Sequence, residues 1–182
     1  GGFRAADLFK HFRAGDDMNR NLIFRVMIIF FFVSSLYSGV KVVGYYPYWK
    51  SSVLPPEEVR FDLLTHIVHA FIWPGADGSL RVDDSIITSN LTGRAHDWGV
   101  SVLISVGGAG HSDYFMNVTS DSAACRTFAD SLLDFCLSRG YDGIDLDWEP
   151  LNSAEKGERL TLLTGSVTAA DNGCAGRRLV RS

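Results

Sequence analysis

The chain has 182 residues, with 17 Lys and Arg against 21 Asp and Glu and a formal net charge of -4. With no basic excess there is no electrostatic case for nucleic acid as a partner. Hydrophobic residues form 46% of the chain, which supports a packed core and excludes the apolar-poor composition of a disordered protein.

The first informative segment runs from Asn21 to Gly39. An apolar stretch from Val26 to Val33 follows Arg20 and Arg25 and gives way to Ser34, Ser35, Ser38 and Gly39. That order of charge, apolar core and small residues reads as a secretory signal, with an uncleaved anchor as the alternative. The apolar run is short for a transmembrane helix. Met18 marks a possible start, so residues 1–17 are read as upstream sequence, 18–39 as signal peptide, 40–170 as the folded part and 171–182 as an irregular tail. The expected location is secreted, without stable membrane insertion once the signal is removed. The acceptor patterns at Asn90-Leu91-Thr92 and Asn117-Val118-Thr119 suit that location.

Val40 to Trp49 is rich in β-branched and aromatic residues and reads as a buried first strand. Leu64 to Trp73 reads as a second, closed by Pro74-Gly75 and an Asp77-Gly78 turn. A helical pattern from about Asp84 to Asp97 leads to a third strand at Val100 to Val106. Ser120 or Asp121 can cap a helix bearing Ala124, Phe128, Leu132 and Phe135, which Arg139-Gly140 ends. Cys125 and Cys136 both fall on that helix, roughly 16 Å apart along its axis, so they cannot pair there. Cys174 reaches them only if the tail folds back, and free thiols are expected. Strands alternating with helices imply a parallel sheet.

The richest chemistry lies at Tyr141 to Pro150, YDGIDLDWEP. On a strand, Asp145, Asp147 and Glu149 share one face and Ile144, Leu146 and Trp148 the other. Same-face acids about 6 to 7 Å apart raise one another's pKa, which suits general acid catalysis. A solvated strand face and a metal-binding Asp pair are the alternatives. The apolar spacers count against a calcium loop. His66 and His69, three apart on a strand, point to opposite faces and make no metal pair, so no metal or cofactor is expected.

Asp142, Asp145, Asp147 and Glu149 in the pattern DxxDxDxE resemble the signature of glycoside hydrolase family 18, the chitinases and their relatives. Ser105, Gly107 and Gly108 in SVLISVGG are similar to the Ser-x-Gly-Gly at the end of the third barrel strand of that family. The resemblance implies an α/β fold, a partial TIM (β/α)8 barrel of about the first four βα units. It also implies a chain that is a fragment, with exposed strand edges and no turnover of its own. A complete barrel typically needs about 250 residues.

The family's chemistry, carried onto these residues, makes Glu149 the general acid and base, with Asp147 and Asp145 beside it. Asp142, Ser105 and Tyr45 would support them, and Phe71 and Trp73 would line the sugar site. The implied partner is chitin or oligosaccharides of N-acetylglucosamine (GlcNAc). An endo-β-N-acetylglucosaminidase, a peptidoglycan-directed relative and a non-catalytic chitin-binding lectin remain alternatives. Ala109 stands where many chitinases carry Trp. The Tyr and Trp that the family's second half supplies have no counterpart among these residues.

Overall fold

The structure is a computed structural model and describes residues 40–173. The expected upstream segment, signal peptide and Cys174 lie outside the described residues, as does the tail beyond Gly173. Four strands form a parallel sheet in the order β1 (Val43–Pro47), β2 (His66–Pro74), β4 (Ser101–Gly107) and β5 (Gly143–Asp147), while β3 (Leu80–Arg81) pairs antiparallel with β2. Neighbouring strands are consecutive apart from that hairpin, so each crossover returns to the adjacent position.

Ile67, Val68, Val102, Ile104 and Val106 are all at most 3% exposed, as expected of strands in a covered parallel sheet. Their cover includes the helix α4 (Ser122–Arg139), which buries Cys125, Phe128, Ala129, Leu132, Leu133 and Cys136. Both of its ends follow from local sequence. Asp121 accepts hydrogen bonds from the amides of Ala123 and Ala124 at 2.8 and 2.9 Å, and Gly140 turns left-handed at φ 74°, a conformation that favours glycine. Cys125 and Cys136 are buried and free.

The helix α5 (Ala154–Gly173) packs on α4. Its Arg159 donates to the carbonyls of Thr119 and Ser120, the latter at 2.7 Å. It runs past residue 170, where the irregular tail was expected to begin, so Asp171 to Gly173 belong to the helix.

Several elements differ from the sequence-based reading. The β1–β2 connection carries no α-helix, only three 3₁₀ turns at Tyr48–Lys50, Pro56–Glu58 and Phe61–Leu63. Pro55 and Pro56 withhold two amide donors that a continuous helix would need. The helix expected over 84–97 is two, α1 (Asp84–Ile87) and α2 (Leu91–Asp97). Between them Ser89 Oγ accepts from the Leu91 amide at 3.2 Å, a local bond that competes with helical continuation. The short strand β3 and the helix α3 (Phe115–Val118) were not foreseen. Both are too short for periodicity to show.

Among the described residues no helix is long and apolar enough to cross a membrane.

Candidate active site

Register decides which side chains meet. Ser105 on β4 is paired with Asp145 on β5, and Gly107 with Asp147. Alternation then sets Ser105, Asp145 and Asp147 on one face, with Ile104 and Ile144 on the other. Asp145 Oδ2 accepts from two hydroxyls: Ser105 Oγ at 2.7 Å and, across the sheet from β1, Tyr45 at 3.0 Å. Ser105 is fully buried, so one of these donors is fixed by packing. Burial, followed by the charges of Asp145 and Asp147, pushes the Tyr45 phenol up to about 12. Tyr45 therefore keeps its proton at neutral pH and acts as a donor.

The strand ends at Asp147. Trp148 and Glu149 lie in the following loop, so Glu149 does not continue the strand face as the two-residue spacing predicted. Trp148 turns inward and is 4% exposed, stacking on Phe115 of α3 with ring centroids 4.7 Å apart. Glu149 is exposed. Its position is set by its backbone: the Glu149 amide donates to Ser112 Oγ at 3.0 Å, and Ser112 Oγ donates to the carbonyls of Gly108 and Asp147 at 3.1 and 3.3 Å. Ser112 thus ties the loop after β4 to the loop that carries Glu149. Nothing in the sequence distinguished this serine, because its role depends on where two loops meet.

Two glycines allow that meeting. Gly107 has φ 108° and its amide neighbour Gly108 has φ 85°, both in the region that favours glycine. A Cβ on Gly107 would strike the Asp147 carbonyl and lie 2.7 Å from the Phe115 ring, and one on Gly108 would lie 2.9 Å from the Phe71 ring. The Gly108 amide donates to the Asp147 carbonyl at 2.7 Å, extending the β4–β5 contact one step past the strands.

The carboxyl of Asp147 is held above the usual carboxylate range, first by burial and then by Glu149 and Asp145. The folded chain therefore binds this proton more tightly than the unfolded chain does. Stability falls as pH climbs from the ordinary carboxylate range through the raised value, and the deficit persists above it. Asp147→Asn, which removes the charge without changing shape, is expected to melt above wild type at about pH 7, with a smaller gap at about pH 4. Thermal melts of both proteins at the two values check this, and equal melting temperatures at neutral pH would contradict it.

The remaining expected residues divide by position. Phe71 sits where the β2–β4 register slips between Ala70 and Ile72, and Trp49 stacks on it at 5.9 Å. Trp73 stacks on His111 at 4.4 Å. Trp49 and His111 were not anticipated at the site; Trp49 lies in the 3₁₀ turn after β1 and His111 in the loop after β4. Asp142 is not brought to the other acids. It precedes β5, and its Oδ2 accepts from the Val102 amide and faces His96 Nε2, both at 2.7 Å. There it fastens the N-terminal end of β5 to β4. Among the described residues no group of three His, Cys, Asp or Glu could hold a metal ion.

Parallel strands that carry a buried serine, a tyrosine and successive carboxylates on one face define an α/β domain with an acidic candidate site. Residues 41–174 match the glycosyl hydrolases family 18, and the chain belongs to that family. A class V chitinase of Medicago truncatula is 36% identical over 116 residues, covering 59% of this chain and 31% of the relative. A chitinase-like effector of Moniliophthora perniciosa is 34% identical over 113 residues, covering 60% of this chain and 26% of the relative. The crystal structure of a family 18 chitinase from Cycas revoluta, in complex with (GlcNAc)3, superimposes with a TM-score of 0.66 and 28% identity, covering 72% of this chain and 40% of that one. The chain thus spans about a third or less of these two relatives' length.

Proposed function

We propose that this chain carries the acid face of a retaining hydrolase of β-1,4-linked GlcNAc polymers, built on the first four strands of a (β/α)8 barrel. The observation that supports this most directly is the shared face of Asp145 and Asp147 at the C-terminal end of β5, with Glu149 in the loop that follows, where barrel enzymes place their chemistry, and the Asp147 pKa raised by burial and then by Glu149 and Asp145.

In this reading Glu149, exposed beyond the strand, protonates the glycosidic oxygen. The 2-acetamido carbonyl oxygen of the substrate attacks the anomeric carbon in place of an enzyme nucleophile, the exception that family 18 makes to the two-carboxylate scheme. The C1–O bond breaks and an oxazolinium ion forms. Asp147 accepts from the acetamido N–H and offsets the positive charge. Glu149, now ionised, takes a proton from water, which opens the ring with net retention. Tyr45 and Ser105 keep Asp145 oriented beside Asp147. Trp49, Phe71 and Trp73 offer apolar ring faces of the kind on which sugar rings pack.

A single partial sheet supplies only part of such a site, and the 182-residue chain alone is proposed to lack turnover. The reading at 18–39 places the protein outside the cell. The decisive assay is hydrolysis of GlcNAc oligomers by the complete gene product and by the 182-residue chain, with the product anomer followed by NMR. Retained β-configuration from the gene product supports the reading. Inverted product, or no hydrolysis by any form, overturns it.

A further inference from the structure

The β4–β5 register ends at Gly107 opposite Asp147, so Glu149 stands beyond that ladder. Pro150, which follows it, has no N–H to give. The segment is held instead from outside β5, residue by residue. The Trp148 ring stacks on Phe115, the Glu149 amide donates to Ser112 Oγ at 3.0 Å, and Lys156 Nζ of α5 donates to the Pro150 carbonyl at 2.9 Å.

Ser112 is placed to govern the middle of this segment. It is 5% exposed, and its hydroxyl is used on both sides. A lone pair takes the Glu149 N–H, and the single proton is shared between the carbonyls of Gly108 and Asp147 at 3.1 and 3.3 Å. The backbone around it is held as well: the Ser112 carbonyl accepts from the Phe115 amide at 3.3 Å, and the His111 amide donates to the Gly108 carbonyl at 3.1 Å.

A serine that only closed its own turn would bond Gly108, four residues back. Ser112 also reaches the Asp147 carbonyl and the Glu149 amide, and so fixes the path of the chain between the two acids. The run from Ser112 to Phe115 thereby grips Asp147 to Glu149 twice, by a hydroxyl at one end and a ring at the other.

We infer that Ser112 is a positioning residue for the proton transfer, setting where Glu149 stands relative to Asp147. The inference rests on the hydrolase reading. Because the Glu149 side chain is exposed, the reach of its carboxyl is governed by the place of its backbone. A misplacement of about 1 Å at a reacting group costs on the order of 10²-fold in rate.

Ser112→Ala, made in the hydrolytically active gene product, is expected to lower kcat for GlcNAc oligomers by about 10- to 100-fold, with KM within about twofold of wild type. Hydrogen exchange of the Glu149 amide should accelerate in the same variant, because that N–H loses its acceptor. Should the alanine variant fail to fold, Ser112→Cys carries the same expectations, since its thiol fills the space but bonds weakly. Cys136→Ala, which trims a buried thiol on α4, lowers the melting temperature and is expected to keep the wild-type kcat.

A Ser112 variant with the wild-type kcat would overturn the positioning role. So would a loss of kcat that merely follows the melting temperature in the Ser112 and Cys136 variants alike. The two readings fail separately. A wild-type rate in Glu149→Gln removes the hydrolase chemistry and the positioning role with it, whereas an inactive Glu149→Gln beside an unimpaired Ser112→Ala removes the positioning role alone.

Discussion

Replacing Glu149 with Gln is expected to lower the rate of GlcNAc oligomer hydrolysis by about 10²–10⁴-fold in whatever length of the gene product shows turnover. Gln has the shape of Glu but no proton to give to the glycosidic oxygen. The loss should fall on kcat, because the acid contributes in the transition state rather than to binding of the ground state. The fold should be untouched. Glu149 is exposed, and the bond that positions it comes from its backbone amide to Ser112 Oγ, which the substitution keeps. A melting temperature matching wild type beside a collapsed kcat would therefore assign the proton transfer to this side chain. A kcat that stays at the wild-type rate would remove Glu149 from the mechanism and with it the proposed chemistry.

The parts of this arrangement that could be read from the sequence are those carried by period and spacing. The four parallel strands, the α4 helix with its Asp121 cap and Gly140 stop, and the shared face of Asp145 and Asp147 each repeat a local rule along a continuous segment. What the sequence hid depends on two segments meeting. Ser112 looks like any loop serine until the β4 and β5 loops are side by side. Trp148 alternates correctly for the apolar face, yet the strand ends before it, and its stacking on Phe115 sends Glu149 into the loop. His96 and Asp142 lie far apart in sequence and carry no motif in common. Their 2.7 Å contact exists because β4 and β5 are neighbours. Asp142 shows the limit of pattern reading, since it sits in the acidic signature but points its carboxylate at the start of β4.

Gly107→Ala is expected to cost about 3 kcal/mol or more, which for a domain of this size lowers the melting temperature by roughly 10 °C. Two penalties coincide at this residue. The backbone stands at φ 108°, where an L side chain is strained. The added methyl also meets the Asp147 carbonyl and the Phe115 ring, which is pinned by its stack on the buried Trp148. Neither neighbour yields cheaply, because the carbonyl already accepts from the Gly108 amide and from Ser112 Oγ. Relief requires β4 and β5 to part at their C-terminal ends, and that movement carries Asp147 away from its partner Gly107 and loosens Asp145 from Ser105. The same methyl at Gly157, whose Cβ position is open on the α5 helix, should be neutral or stabilising, as alanine is favoured over glycine within helices. Thermal melts of the two variants separate the cases. A Gly107→Ala protein that melts with wild type would mean that the β4–β5 junction relaxes freely, and Gly107 would then have no part in holding the acids in line.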